Sequence, residues 1–190
     1  MSYASHPVRL CGERLILDFL NTADWAADGR VVHEKLATPA DVDRWMTATG
    51  LDGVSGPKTA RELTRLKTFR AALRAMILEV AGEEGETPDG IRAVNAALRG
   101  IRGDVLAETG SPAAASAAGV PLQAVLAISA AAVLADPRER ARIKVCPGDN
   151  CGWLFLDETR NARRRWCSME TCGNRAKARR HYRRSQAEGG

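Results

Sequence analysis

At 190 residues, with 45% apolar and 27% charged side chains, the chain suffices for one medium domain, or for a domain of about 140 residues with a small appendage that needs outside help to fold. It lacks the run of about 18 uncharged apolar residues that a membrane-spanning helix requires. Arg9, Glu13 and Arg14 fall where an export signal needs an apolar core, so a cytoplasmic protein is expected. The net charge of +5 is uneven: residues 1–142 carry 17 Lys+Arg against 18 Asp+Glu, and residues 143–190 carry 11 against 5. Positive charge confined to the last quarter is the footprint of a nucleic-acid contact, with a solvated helix or a disordered basic tail as the plainer alternative.

In chain order, Leu15, Ile16, Leu17, Phe19 and Leu20 form a nearly continuous apolar run that periodicity cannot divide between buried strand and buried helix. Asp18 and Asn21 interrupt it and would share one face of a helix. They read either as a capping or salt-bridge pair in the core wall, or as the polar lining of a site for a small-molecule effector. Thr38-Pro39-Ala40-Asp41 is an N-cap with proline at the first helical position, followed by Val42, Trp45 and Met46 and stopped by Gly50. From about Pro57 to Val80, apolar residues step by three and four from Leu63 to Ile77, which predicts the longest amphipathic helix. Thr87-Pro88 caps another through Leu98, and residues 103–119 read as an irregular or short-stranded excursion. Pro121 to Leu134, rich in alanine and apolar on most sides, predicts a central buried helix that Asp136-Pro137 breaks. Composition, charge and cysteine content all change there, implying a mostly helical domain over 1–140 and a small module over 141–190.

That module holds four of the five cysteines, Cys146, Cys151, Cys167 and Cys172, spaced C-x4-C-x15-C-x4-C. In a reducing compartment two disulfides are the weaker explanation and a metal site the stronger. About 45 residues with few apolar side chains cannot offset their chain entropy unaided, whereas one Zn2+ per chain held by four thiolates would make metal binding part of folding. Cys146-Pro-Gly-Asp-Asn-Cys151 suits a tight turn, and GWLFLD suits a hairpin strand with Trp153 and Phe155 on one face and Leu154 and Leu156 on the other. The second pair then stands at the start of a basic helix, where unpaired N–H groups favour thiolates. Turn, hairpin and helix together predict a treble-clef-like finger. Arg163, Arg164, Arg165, Arg175, Lys177, Arg179, Arg180, Arg183 and Arg184 are the candidate phosphate contacts, although some of these cations serve equally to offset the charge of the sulfurs. Trp166 reads as a hydrophobic plug beside the metal and His181 as a surface residue. Cys11 reads as a small buried apolar residue.

The stretches CGWLFLD and RRRWCSMETCGNRAKARRHYRR closely resemble the CGNR zinc finger, whose tetrad is here Cys172-Gly173-Asn174-Arg175. LILDFLNT and the helices after it resemble the ABATE domain that precedes this finger in bacterial proteins described as stress-induced transcription regulators. The resemblance covers nearly the whole chain. It implies a zinc-dependent, DNA-binding C-terminal module behind an N-terminal domain that senses a ligand or forms a homodimer. Two alternatives keep the zinc: RNA binding with Trp153, Trp166 and Tyr182 stacking on bases, and docking of an acidic protein. An enzyme is not expected, because four thiolates leave zinc no open position for water and no phosphate loop, Ser-His-Asp grouping or paired-His motif occurs. Asp18, Asn21, His33 and Glu34 could meet in a pocket, yet nothing in the sequence brings them together.

Overall fold

The computed structural model describes residues 2–51, 53–82, 88–99 and 119–188. Seven helices and two antiparallel hairpins are found among them. The apolar run whose type was ambiguous is a helix, α1 (Leu15–Leu20), with every residue from Ile16 to Leu20 buried. A hairpin follows, β1 (Ala23–Trp25) with β2 (Val31–Glu34), shifted in register between Asp24 and Trp25. Helices α2 (Pro39–Ala48), α3 (Ala60–Ala81) and α4 (Pro88–Arg99) come next. Then come α5 (Leu122–Ala135) and the single turn α6 (Pro137–Arg140).

The start signals act as the sequence suggests. Thr38 accepts the N–H of Asp41 while the Asp41 carboxylate accepts that of Thr38, so two otherwise unpaired N–H groups are satisfied reciprocally. Gly50, at φ +70, supplies the left-handed residue after α2. Helix α3 starts later than Pro57, because Thr59 and Glu62 form a second capping box. The cap expected at Thr87 and the excursion over 103–118 lie outside the described residues. Helices α1, α3, α4 and α5 pack around one core, with α5 against the other three.

The chain then turns at Asp136, whose carboxylate caps α6, into β3 (Ile143–Val145), which pairs antiparallel with β4 (Leu154–Leu156). Side chains alternate across the pleat as predicted. Ile143, Leu154 and Leu156 enter the same core as the helices, whereas Trp153 and Phe155 pack with the cysteines. Asn21 holds the seam: its Nδ2 donates to the Leu154 carbonyl and its Oδ1 accepts the Leu154 N–H, both at 2.8 Å. The Leu156 N–H adds a bond to the Gly12 carbonyl at 3.1 Å. The finger's hairpin is therefore built into the helical body.

Candidate metal centre and nucleic-acid interface

Cys146 directly follows β3, and its N–H donates to the Trp153 carbonyl at 2.8 Å, closing the hairpin that carries the first sulfur pair. Asn150 sits at φ +51, and the Cys151 N–H donates to the Gly148 carbonyl at 3.0 Å, which folds the turn back. A Cβ on Gly148 would stand 3.0 Å from the Cys172 sulfur, so the turn packs closely on the second pair. Cys172 lies in a π-helical turn, Met169–Gly173, that runs directly into α7 (Asn174–Glu188). All four Sγ atoms lie within 4.8 Å of one another. Cys151 to Cys167 and Cys167 to Cys172 are each 3.7 Å. With Zn–S bonds of about 2.3 Å, a tetrahedron has edges of roughly 3.8 Å, so the spacing suits a four-thiolate site.

Charge gives a second test of the fit. The sulfurs divide protons unequally: hydrogen bonds from Cys151, Cys167 and Cys172 pull the Cys146 thiol below the usual range, and contact with Cys146, Cys151 and Cys172 pushes Cys167 above it. Four thiols this close cannot all ionise without a cation among them. Arg74 on α3 shows the complement. It is 5% exposed, and among the described residues its Nε and Nη1 have no hydrogen-bond partner and its one hydrogen bond is to the Gly152 carbonyl, 2.7 Å from Nη2. Burial lowers its pKa to about 10, and Cys151 is the neighbour that favours its charge. A buried guanidinium without a carboxylate is costly, and a metal–thiolate cluster of formal charge −2 would offset it.

Phe155 and Trp153 wall the cluster, and the half-buried Trp166 packs against it with Cys11. Asp157, fully buried, organises the following loop. It accepts from Lys144 Nζ at 2.6 Å, the Arg164 N–H at 2.8 Å and the Thr159 N–H at 3.0 Å. Burial alone would raise its carboxyl, but these donors hold it well below the usual carboxylate range. Gly152, at φ +55, lets the chain pass the hairpin β1–β2, because a Cβ there would meet the Trp25 carbonyl oxygen at 2.8 Å. None of Arg74, Asp157 and Gly152 stands out by sequence pattern, apart from the oddity of an arginine inside the apolar stripe of α3.

Residues 13–137 match the family model for ABATE, described as "Putative stress-induced transcription regulator", and residues 142–185 match that for the CGNR zinc finger. The chain belongs to the ABATE family. No curated protein matches it. The finger's tetrad has a visible physical basis in this ABATE chain. Cys172 supplies a sulfur, and Gly173 is buried where a Cβ would crowd the Met169 sulfur. Asn174 donates to the Glu170 carbonyl at 3.2 Å, and Arg175 Nη2 stands 3.8 Å from the Cys172 sulfur.

The candidate cations divide by position. Arg164 is already committed: it donates to the carbonyls of Cys11, Trp166 and Cys167, pairs with Glu13 and lies 4.6 Å over the Phe155 ring. It therefore leaves the set of candidate phosphate contacts. Arg163 and Arg165 are exposed, the latter over Trp166. Arg175 and Arg179 turn back to the finger, Arg179 pairing with Asp149. Lys177, Arg180, Arg183 and Arg184 are exposed and make no ion pair among the described residues. No residue from Asn174 to Gln186 is buried, and His181 is at the surface.

Asp18 and Asn21 spend their side chains on the protein's own backbone. Asp18 Oδ1 accepts the N–H groups of Cys11 and Gly12 at 2.8 Å each, Asn21 clamps Leu154, and both side chains are buried. They do not meet His33 and Glu34: Glu34 pairs with Arg70, and His33 contacts Asp24. Trp153, at 7% exposure, faces an internal cavity and presents no face at the outer surface for a nucleic-acid base to stack on.

Proposed function

We propose that the chain is a zinc-dependent transcription regulator that binds duplex DNA through α7, with one zinc ion held by Cys146, Cys151, Cys167 and Cys172. The observation that carries this reading is the helix itself. Its 15 residues span about 22 Å, its cations occupy opposite sides, and none of its residues from Asn174 to Gln186 is buried. At 100° per residue, Lys177, Arg180 and Arg184 form the ridge facing away from the finger, while Arg175 and Arg179 form the ridge turned toward it. The outward ridge, joined by Arg183 on the flank between it and Arg179, is free to bind phosphates or guanine edges in a major groove. Zinc supplies the fixed attachment of α7 to the hairpin and no open coordination position.

Each phosphate contact releases condensed counterions, so the logarithm of affinity falls with the logarithm of salt by about 0.9 per contact. Arg180→Ala with Arg184→Ala reduces that slope by roughly two and leaves zinc content at one per chain. Arg179→Ala, which removes a cation already paired with Asp149, changes the slope less. Unchanged duplex affinity and slope in the double variant would remove DNA binding from α7. The RNA alternative loses Trp153 as a stacking platform and retains the exposed Tyr182. Competition between duplex DNA and RNA of matched length separates the two.

A further inference from the structure

A cavity of about 440 Å³ lies where three distant parts of the chain meet. The N-terminal strap contributes Tyr3, His6 and Arg9, the β1–β2 hairpin contributes His33, and the finger contributes Trp153 and Arg175. The volume falls within the range of sites for small molecules, about 300–1,000 Å³, and such sites favour seams between structural units. The sulfurs of Cys151, Cys167 and Cys172 lie behind the same wall, buried, while Arg9 is exposed at the rim.

The wall's charges select the ligand. Its two carboxylates are already satisfied. Asp24 accepts from Lys35 Nζ at 2.6 Å and Trp153 Nε1 at 2.8 Å and has His33 Nδ1 at 3.3 Å, and Asp149 pairs with Arg179. Arg9 has no ion pair among the described residues. The unmatched charge at the rim is therefore positive, and the flat side chains in the lining are Tyr3 and Trp153, both mostly buried, and the two imidazoles. We propose that this cavity binds a small planar anion, a carboxylate carried on one or two aromatic rings, with its ring against Trp153 and its carboxylate toward Arg9. The reverse orientation would set the anion against the sulfurs, whose charge Arg175 beside Cys172 already serves, so the rim is the more favourable end for the carboxylate.

The consequence is linkage. The ligand touches the strap, the hairpin and the first turn of α7 at once, so any preference of α7 for one position is shared with ligand binding, reciprocally. Binding itself depends on the cavity alone and does not rest on the nucleic-acid reading.

The test uses the full-length, zinc-loaded chain, with benzoate, nicotinate and indole-3-carboxylate as probes and their uncharged amides as controls. Binding is read from the indole N–H resonance of Trp153, assigned through Trp153→Phe. At least one acid moves that resonance saturably, its amide binds at least ten-fold more weakly, and Arg9→Gln brings the acid to the level of the amide while the melting temperature stays unchanged. The inference is overturned if none of the three acids moves the resonance, if acid and amide bind equally, or if Arg9→Gln binds like the parent. Duplex affinity plays no part in this readout, so either proposal can fail while the other stands.

Discussion

Asp18 accepts two backbone N–H groups in a buried position, and burial pushes its carboxyl up to about 6 against the pull of the donors from Gly12 and Cys11. The folded value lies above the unfolded one, so folding favours the protonated acid. That stability is fully present below about pH 4 and is lost as pH rises through about 6. Asp18→Asn keeps an oxygen for both N–H groups and carries no charge to bury. The variant is expected to match the parent near pH 4 and to exceed it above pH 6, by an amount on the order of 1–3 kcal/mol. Parallel denaturant titrations across pH 4–7 measure this, and a parent that gained on the variant with rising pH would reverse the assignment. At this scale the sequence exposed residue type but not partner. Asp18 and Asn21 stood out as polar interruptions of an apolar run, yet the partner of Asn21 is Leu154, brought beside it only by the fold. Arg164 resembled its neighbours Arg163 and Arg165 in sequence and differs because carbonyls happen to converge on it.

The hairpin β3–β4 shows the same limit for elements. Alternation in GWLFLD correctly separated Leu154 and Leu156 from Trp153 and Phe155, because the pleat puts successive side chains on opposite faces whatever lies beyond them. What lies beyond was not legible: the leucine face is buried in the core of the helical body, and β3 itself carried no strand signal of its own. Helix starts were legible where the cap is local, as at Thr38, and α1 was not, since a short apolar run looks alike in helix and strand. The shared face has an experimental consequence. A fragment of residues 141–190 leaves Ile143, Leu154 and Leu156 without their partners, so zinc alone gives it a poorly dispersed amide spectrum, while the full chain is well dispersed. Within the full chain, Leu156→Ala costs about 2–5 kcal/mol, the range for emptying a packed core site. A cooperatively folded, well-dispersed zinc-loaded fragment would show that the finger needs nothing from the body.

Across the whole molecule, one seam joins the sulfur cluster to the helical body. The Trp25 N–H donates to the Cys151 carbonyl at 3.2 Å, Arg74 to that of Gly152, and Trp153 Nε1 to Asp24. Each of these groups lies within two residues of one of the four clustered cysteines or holds one that does, so a metal held by the sulfurs would share its restraints with the seam. Chelation therefore reaches into the N-terminal region. Removing a four-sulfur cross-link would free the turn 146–151, let the sulfurs take up protons from solvent, and strip Arg74 of its counter-charge. Hydrogen exchange after treatment with a zinc chelator is expected to accelerate at the amides of Trp25, Leu154 and Leu156. Amides in the middle of α3 away from Arg74, and those of α5, keep most of their protection, because most of their contacts are with α1, α4 and each other. Exchange confined to residues 146–186 would mean that the seam holds without the metal. Uniform loss of protection throughout the chain would mean that the body has no stability of its own.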